Sequence, residues 1–178
     1  AYPNLFTPRK YKDERGGESG EPKYDFRGVI ELTHPDMPEM RKKLVEAAHN
    51  AWPNAQFTDP NQPNYLEVDW CLRSGDKIAD KAALKAKDPN AKRNQEAFRG
   101  KLVLISRGQY APWLSAVLNG LIVDYHLSGN ERMAAEPYFY GGVQVLVQVQ
   151  LVAYQVGDNK PVVTAYPNVV LSLNQGDK

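Results

Sequence analysis

A long alternating stretch in the last third of the chain constrains the fold more than any other part of the sequence. From Val143 to Val156 it reads VQVLVQVQLVAYQV, with apolar residues at every second position and mostly polar ones between them. Successive side chains of a β-strand point to opposite faces, so this period of two predicts a half-buried strand. At about 3.3 Å per residue it would span about 46 Å, far beyond an ordinary strand, and Gly141-Gly142 before it can supply a bulge. We interpret it as the long, bent strand of a small barrel; a plain solvated sheet face is the alternative for its polar side.

Alternation also marks other segments of the chain. The pair Asn119-Gly120 between two apolar runs is a strong hairpin signal, because both residues tolerate positive φ. In addition to the long strand, the sequence predicts strands at residues 23–32, 65–72, 98–107, 113–118, 121–125 and 162–173. We expect the last of these to return antiparallel to the long strand.

One amphipathic helix is predicted at about residues 36–51. Asp36 and Glu39 have the spacing of a capping box, and Pro38 is tolerated in a first turn. Apolar residues recur at three-to-four spacing along this segment, namely Met37, Met40, Leu44, Ala47, Ala48 and Trp52. Such a stripe is typical of a helix that packs on a core, and we expect it to cover an open end of the barrel.

The distribution of charge says more than the net charge of +1. Residues 73–107 carry ten basic and four acidic residues, whereas residues 28–72 carry three basic and seven acidic ones. This asymmetry permits a basic face on a nearly neutral molecule; the alternative is a solvated, lysine-rich loop. Within the basic part, residues 77–92 are rich in alanine and lysine and predict a short exposed helix followed by a basic segment that is broken at Pro89.

Cysteine usage and hydropathy indicate the cellular compartment of the protein. Cys71 is the only cysteine, so an intramolecular disulfide is impossible and a reducing compartment is indicated. The chain has no apolar run of the length that a membrane helix needs and no signal peptide at its start. We therefore expect a soluble, cytoplasmic protein of one domain, residues 1–178, with no membrane partner.

Catalytic and metal-binding patterns are absent from the sequence. The three histidines, His34, His49 and His126, do not have metal-ligand spacing with one another or with Cys71, and no zinc, calcium or phosphate-loop motif occurs. Asp69, Asp76 and Asp80 are near one another in the sequence, which leaves a metal-dependent nuclease as a less favoured alternative. We predict no catalytic residue, no metal site and no cofactor, and hence a protein that is not an enzyme.

Aromatic and basic residues occur together on several extended segments. Cations that follow the phosphates and rings on which bases stack are the means by which single-stranded nucleic acid is held, and five-stranded barrels of the OB type present such surfaces. The predicted nucleic-acid-binding residues are Lys10, Lys23, Tyr24, Phe26, Arg27, Arg99, Lys101, Arg107, Tyr110, Trp113, Tyr138 and Tyr140. Tyr24 and Phe26 share a face with apolar neighbours, so burial in the core is the alternative for both. For Trp113 the alternative is that it begins the next strand and packs inside.

Short motifs spread over most of the chain carry a resemblance to a known family. They are Tyr2 to Pro8, Gly20 to Tyr24, Leu72 to Asp76, Gly100 with the strand to Ser106, Pro112, Tyr138 to Gly141, Ala153-Tyr154 and Val169 to Leu171. In this order they resemble the tailed-phage single-stranded-DNA-binding proteins, a family of OB fold. The resemblance implies a protein that coats single-stranded DNA without sequence preference during phage replication or recombination. Members commonly end in an acidic tail that recruits replication partners, and the present sequence ends without one.

The sequence thus predicts a mainly β protein: an OB-fold-like, curled antiparallel barrel with one capping α-helix at about 36–51 and long loops. The predicted partner is single-stranded DNA in the cytoplasm of an infected bacterial host, and RNA, or duplex DNA at lower affinity, remains an alternative ligand. Phage replication proteins are partners if the full-length protein has an acidic tail, and a homodimer is compatible with the sequence. The rival functions are a structural or protein-interaction barrel, such as a virion component, and the nuclease.

Overall fold

A computed structural model describes residues 4–12, 18–85, 96–125 and 129–175. The strands in these ranges are β1 (Asn4–Lys12), β2 (Glu18–Glu31), β3 (Asp69–Trp70), β4 (Leu72–Ser74), β5 (Lys101–Gly108), β6 (Trp113–Leu118), β7 (Leu121–Tyr125), β8 (Val145–Tyr154) and β9 (Val162–Ser172). The helices are α1 (Met37–Ala51), α2 (Gly75–Lys85) and α3 (Gly129–Ala134), and a 3₁₀ turn follows at Glu136–Tyr138. The prediction of a mainly β protein is confirmed.

The strands form a mixed sheet. Its hydrogen-bonded order is β1-β2-β5-β9-β6-β7, while β3 and β8 also pair with β9, and β4 pairs with β5. The pairs β1–β2, β4–β5 and β6–β7 are antiparallel, as expected. Two parallel pairs, β3–β9 and β6–β9, were not predicted, because strand direction depends on long connections that have no local sequence signal.

The long alternating stretch forms β8, which begins two residues after the predicted start and ends two residues before the predicted end. Along its first six residues, half-buried valines alternate with exposed Leu146, Gln148 and Gln150. Val145 and Val147 pack against the hydrophobic core, so the alternation separates a core-facing side from a solvent-facing side. The hairpin prediction is confirmed as well, since Asn119 and Gly120 have φ of 50° and 79° and join β6 to β7.

The chain divides into two compact units. The first unit comprises residues 1–26, 106–150 and 166–178, and the second comprises residues 27–105 and 151–165. Strands β2, β5, β8 and β9 contribute residues to both units. That the whole chain is one domain stays a prediction.

The first unit has a core built from distant parts of the sequence. Its buried members are Leu5, Phe26, Leu114, Ala135, Phe139 and Val170. The Phe6 ring packs edge-on against Phe139, with ring centroids 6.0 Å apart. The core thus joins β1, β2, β6 and β9 to the segment that contains α3 and the 3₁₀ turn.

In the second unit, α1 buries the predicted stripe, with Met37, Leu44 and Ala48 inside. The predicted capping box does not form. The Asp36 side chain makes no capping hydrogen bond, and the Asp36 backbone N–H instead donates to Nδ1 of His34 at 3.3 Å. The helix begins with Pro38 in its first turn, as expected.

Gly75 is the first residue of α2. A Cβ atom at this position would lie 1.8 Å from the carbonyl oxygen of Phe98, so only glycine allows the helix to start this close to the chain before β5. The short exposed helix predicted in the basic region is therefore confirmed up to Lys85. Pro89 and the rest of that basic segment lie outside the described residues.

Cys71 is buried, and burial raises the pKa of its thiol to about 11, which makes it a poor nucleophile at neutral pH. Across the described ranges, no helix is long and apolar enough to cross a membrane.

Candidate nucleic-acid interface

The β1–β2 strand pair places two cations directly opposite each other. Arg9 is the register partner of Lys23, and both side chains are exposed, as is that of Lys10. Directly opposed residues of an antiparallel pair have Cβ atoms about 4.5–5.5 Å apart on one face, so like charges at these positions repel each other. Neither Arg9 nor Lys23 has a carboxylate partner within the described parts of the chain. The pair therefore places two like charges opposite each other, and neither is in an ion pair among the described residues.

The register of β1 is irregular on both sides of Arg9. The pairing shifts between Asn4 and Arg9, and shifts again between Arg9 and Tyr11. Such shifts mark bulges, which twist a strand and re-aim its side chains. Arg9 was not among the predicted binding residues, because the opposition to Lys23 follows from this register and not from the local sequence.

Two aromatic residues of β2 lie on its inward side. Phe26 is 5% exposed and belongs to the core of the first unit, which is the alternative that the sequence left open for it, so it offers little surface for base stacking. The physical reason is alternation: Lys23 and Asp25 take one side of the strand, which leaves Tyr24 and Phe26 on the other. Tyr24 is only half-buried and keeps part of its surface accessible.

Arg132 lies over Tyr24 and is almost fully buried, at 4% exposed. Its guanidinium carbon is 5.2 Å from the centre of the Tyr24 ring, within the range of a cation–π interaction. Nε donates to the carbonyl oxygen of Leu5 at 2.9 Å, Nη2 donates to the same oxygen, and Nη1 donates to the carbonyl oxygen of Pro112 at 2.8 Å. Burial lowers the pKa of Arg132 below its ordinary value, and the neighbouring Tyr24 opposes this shift.

The connection between β5 and β6 separates its two aromatic residues. Tyr110 is 85% exposed, and Arg107 at the end of β5 is exposed as well. Trp113 is the first residue of β6, where it pairs with Val169 of β9 and is half-buried. Tyr110 is therefore open to a ligand, whereas Trp113 begins the next strand after the buried Pro112, which is the alternative that the sequence left open for it.

The two tyrosines near the start of β8 are less accessible than expected. Tyr138 packs against the core, and its ring centre lies 5.8 Å from that of Tyr125. Burial, followed by the hydrogen bond with Tyr138, raises the pKa of Tyr125. Tyr140 is half-buried and has interactions within the protein. Neither ring is fully open to a ligand, and the roles of both in binding stay predictions.

In the second unit, two of the three predicted cations are paired with carboxylates. Arg99 donates to Asp80 at 2.8 Å and to Glu96, and these contacts raise the pKa of Arg99. Lys101 lies 3.0 Å from Glu31. Arg27 is exposed, with no ion-pair partner in the described ranges.

The three aspartates considered for a nuclease do not form a metal site. Asp69 binds Arg73 at 2.7 Å, Asp76 accepts the backbone N–H of Gly100 at 3.0 Å, and Asp80 binds Arg99. Each carboxylate thus has a separate structural role. Among the residues described, no group of three or more possible ligands could hold a metal ion.

The structure therefore divides the predicted residues into three groups. The cations Lys10, Lys23, Arg27 and Arg107 are exposed and have no carboxylate partner among the described residues, and the Tyr110 ring is exposed as well. Those held partly or fully inside are Tyr24, Phe26, Trp113, Tyr138 and Tyr140. Arg99 and Lys101 are in ion pairs, and the structure adds Arg9 to the first group.

Comparison with known proteins gives matches among solved structures alone: no family model and no curated protein matches the chain. The single-stranded-DNA-binding protein from bacteriophage Enc34 in complex with single-stranded DNA is 20% identical, with a TM-score of 0.60 over 100% of this chain and 82% of that chain. A C-terminal truncation of the Enc34 protein gives a TM-score of 0.59 at 20% identity, with the same two coverages. A further Enc34 structure gives 0.58 at 20% identity, over 99% of this chain and 77% of that chain. The chain thus has the fold of the Enc34 single-stranded-DNA-binding protein, which confirms the predicted OB-like fold class.

Proposed function

We propose that this protein binds single-stranded DNA without sequence preference and without catalysing a reaction. The observation that carries the proposal is the opposition of Arg9 and Lys23 on the β1–β2 pair. Two exposed like charges across a strand pair destabilise the fold slightly, and a phosphate between them removes the repulsion and gains two charge-assisted contacts. A nucleic-acid backbone is a regular source of such phosphates.

The exposed ring of Tyr110 supports a single strand as the ligand rather than a duplex. Stacking of a base on a ring requires an unpaired base, and the stacking is tolerant of sequence because every base has a π-face. Because the Tyr110 ring is 85% exposed, stacking against a base would remove apolar surface of both rings from water. The fold shared with a phage protein that was solved with single-stranded DNA favours the same class of ligand.

The proposed setting is phage replication or recombination in the cytoplasm of an infected bacterium. There a non-enzymatic protein of this kind covers exposed single strands, and phage replication proteins are its proposed partners. This assignment follows the resemblance to phage single-stranded-DNA-binding proteins. The ion-paired or hydrogen-bonded state of Asp69, Asp76 and Asp80 argues against the nuclease alternative.

Fluorescence polarisation with a labelled oligothymidylate, against a duplex of the same length, tests the proposal. We expect tighter binding of the single strand, and log affinity that falls linearly with log salt at about 0.7 per neutralised phosphate. An oligouridylate of the same length serves as the RNA comparison, and incubation with Mg²⁺ followed by gel analysis tests for cleavage. Absence of binding at low salt would favour a structural or virion role, and cleavage would favour the nuclease.

A further inference from the structure

Arg132 has an unusual environment for a charged residue. It is 4% exposed, yet no carboxylate pairs with it anywhere in the described ranges. Arginine stays charged in proteins, and the burial of a cation is costly unless its donors are satisfied. Two backbone carbonyls and one aromatic ring provide the compensation here. A leucine or methionine would fill the same space without this cost, so packing alone does not explain an arginine at this position.

The groups that Arg132 contacts belong to three separate segments of the first unit. Leu5 is on β1, Tyr24 is on β2, and Pro112 ends the connection between β5 and β6. The Leu5 carbonyl lies within the register shift between Asn4 and Arg9, where the ladder with β2 is interrupted. Arg132 therefore holds β1 at a point where the hydrogen bonding between β1 and β2 is interrupted.

Each of these three segments also carries a residue of the proposed interface. Arg9 follows Leu5 on the same strand, Lys23 is adjacent to Tyr24, and Tyr110 is two residues before Pro112. The planar guanidinium presents its donors in a rigid fork, so it can set the relative positions of the Leu5 and Pro112 carbonyls. A lysine keeps the charge but has no such fork.

We propose that Arg132 is a positioning residue for single-stranded-DNA binding, which holds β1, β2 and the β5–β6 connection so that their exposed side chains meet one strand together. This inference rests on the proposed function. Arg132 itself is too buried to contact a phosphate, and it acts through the backbone of β1, the backbone before β6 and the Tyr24 ring.

The test is Arg132→Lys, measured by polarisation with a labelled oligothymidylate over a salt series, at a temperature well below the melting temperature of the variant. We expect affinity to fall on the order of tenfold, as for residues that act within one contact network. The salt slope should stay at the wild-type value, because no phosphate contact is removed. A slope lower by about 0.7 would mean that Arg132 contacts a phosphate directly, and wild-type affinity would mean that it serves stability alone. Either result overturns the proposal.

Arg73→Lys is the matched control. Arg73 also donates from Nε to a backbone carbonyl, that of Trp70 at 3.2 Å, but it is exposed and belongs to the second unit. We expect this variant to bind the oligonucleotide as the wild type does. An equal loss in both variants would show that arginine-to-lysine changes weaken binding without regard to position, which also overturns the proposal.

Hydrogen exchange supplies a readout that does not depend on DNA. In Arg132→Lys, amide exchange should increase selectively in peptides that cover Leu5 to Arg9 and Tyr110 to Leu114. A uniform increase over the chain would indicate general destabilisation and would count against a positioning role.

If Arg132→Lys does not fold, Tyr24→Leu is the second variant. It removes the ring and leaves both carbonyl contacts, and it should weaken binding with an unchanged salt slope; wild-type affinity would again overturn the proposal. Failure of the wild type itself to bind the oligonucleotide would refute the proposed function rather than this inference.

Discussion

The β1–β2 pair and the start of β5 are both basic, and the sequence assigns both to the interface, but their cations are in different electrostatic states. Arg9 and Lys23 oppose each other with no carboxylate partner among the described residues. Arg99 is ion-paired with Asp80 and Glu96, and Lys101 is ion-paired with Glu31. Exposed ion pairs of this kind stabilise a fold weakly, yet they occupy the cation that a phosphate would need.

The difference shows why a count of basic residues along the chain is a poor guide to the binding surface. Residues 73–107 hold the largest excess of positive charge, and the structure attaches part of that charge to acids from other segments. The β1–β2 pair draws its charge from two short, inconspicuous segments that the register brings together. We therefore give more weight to the pair of opposed cations than to the excess of charge.

The largest expected effect is that of the double substitution of Arg9→Ala with Lys23→Ala. It removes both charges of the opposed pair, and we expect at least about 100-fold weaker binding of oligothymidylate at low salt. The salt slope should fall by about 0.7, the value for the one phosphate that the two side chains are proposed to share on a single strand. Polarisation titrations over a salt series measure both quantities. Wild-type affinity in the folded double variant would remove the β1–β2 pair from the interface.

Tyr110 and Trp113 allow the same comparison between an exposed and a held side chain. Tyr110→Ala should weaken binding about 5- to 30-fold, equivalent to about 1–2 kcal/mol of stacking, with no change in stability, because the ring is exposed. Trp113→Ala should lower the free energy of unfolding by about 2–3 kcal/mol, less than for a fully buried ring, and change affinity little. Urea denaturation and polarisation separate the two effects. A stable Trp113→Ala protein that has lost DNA binding would reverse this assignment.

The cations at the start of β5 should have a much smaller effect on binding. We expect Lys101→Ala and Arg99→Ala each to change oligothymidylate affinity by less than about twofold, because each side chain already has a carboxylate partner. Lys42→Ala is a suitable control, since Lys42 on α1 is also paired with nearby glutamates. A tenfold loss in Lys101→Ala alone would show that DNA displaces Glu31 and that the ion pair does not keep Lys101 from a phosphate.

The sequence predicts the elements of this fold better than the geometry between them. Alternation identifies β8, and Asn119-Gly120 marks the β6–β7 turn, because both signals arise from backbone preferences of neighbouring residues. The parallel β6–β9 pairing and the Arg132 contacts have no such signal. The register shifts around Arg9 depend on bulges, and the bond from Arg132 to Leu5 joins residues 127 positions apart.

The binding residues were predicted from their chemical type, and the structure decides which of them a ligand can reach. Phe26 satisfies the aromatic pattern but lies in the core, because its strand alternates and its side faces inward. Lys23 and Tyr110 satisfy the pattern and are exposed. Arg9 was not among the predicted residues, because its importance depends on a cross-strand partner that single-sequence reasoning does not supply.

The smallest expected effect is one of stability, and it has opposite signs in the two regions. Arg9→Gln removes a like-charge repulsion across β1 and β2, so in the absence of DNA we expect a melting temperature about 1–3 °C higher at low salt. Lys101→Gln removes an attraction to Glu31 and should lower the melting temperature slightly under the same conditions. Both differences should shrink as salt is raised, because exposed charges are screened over about 10 Å at 0.1 M. Thermal denaturation at two salt concentrations measures them. A decrease for Arg9→Gln would mean that Arg9 is held by a favourable contact, and the repulsion on which the proposed phosphate site depends would not exist.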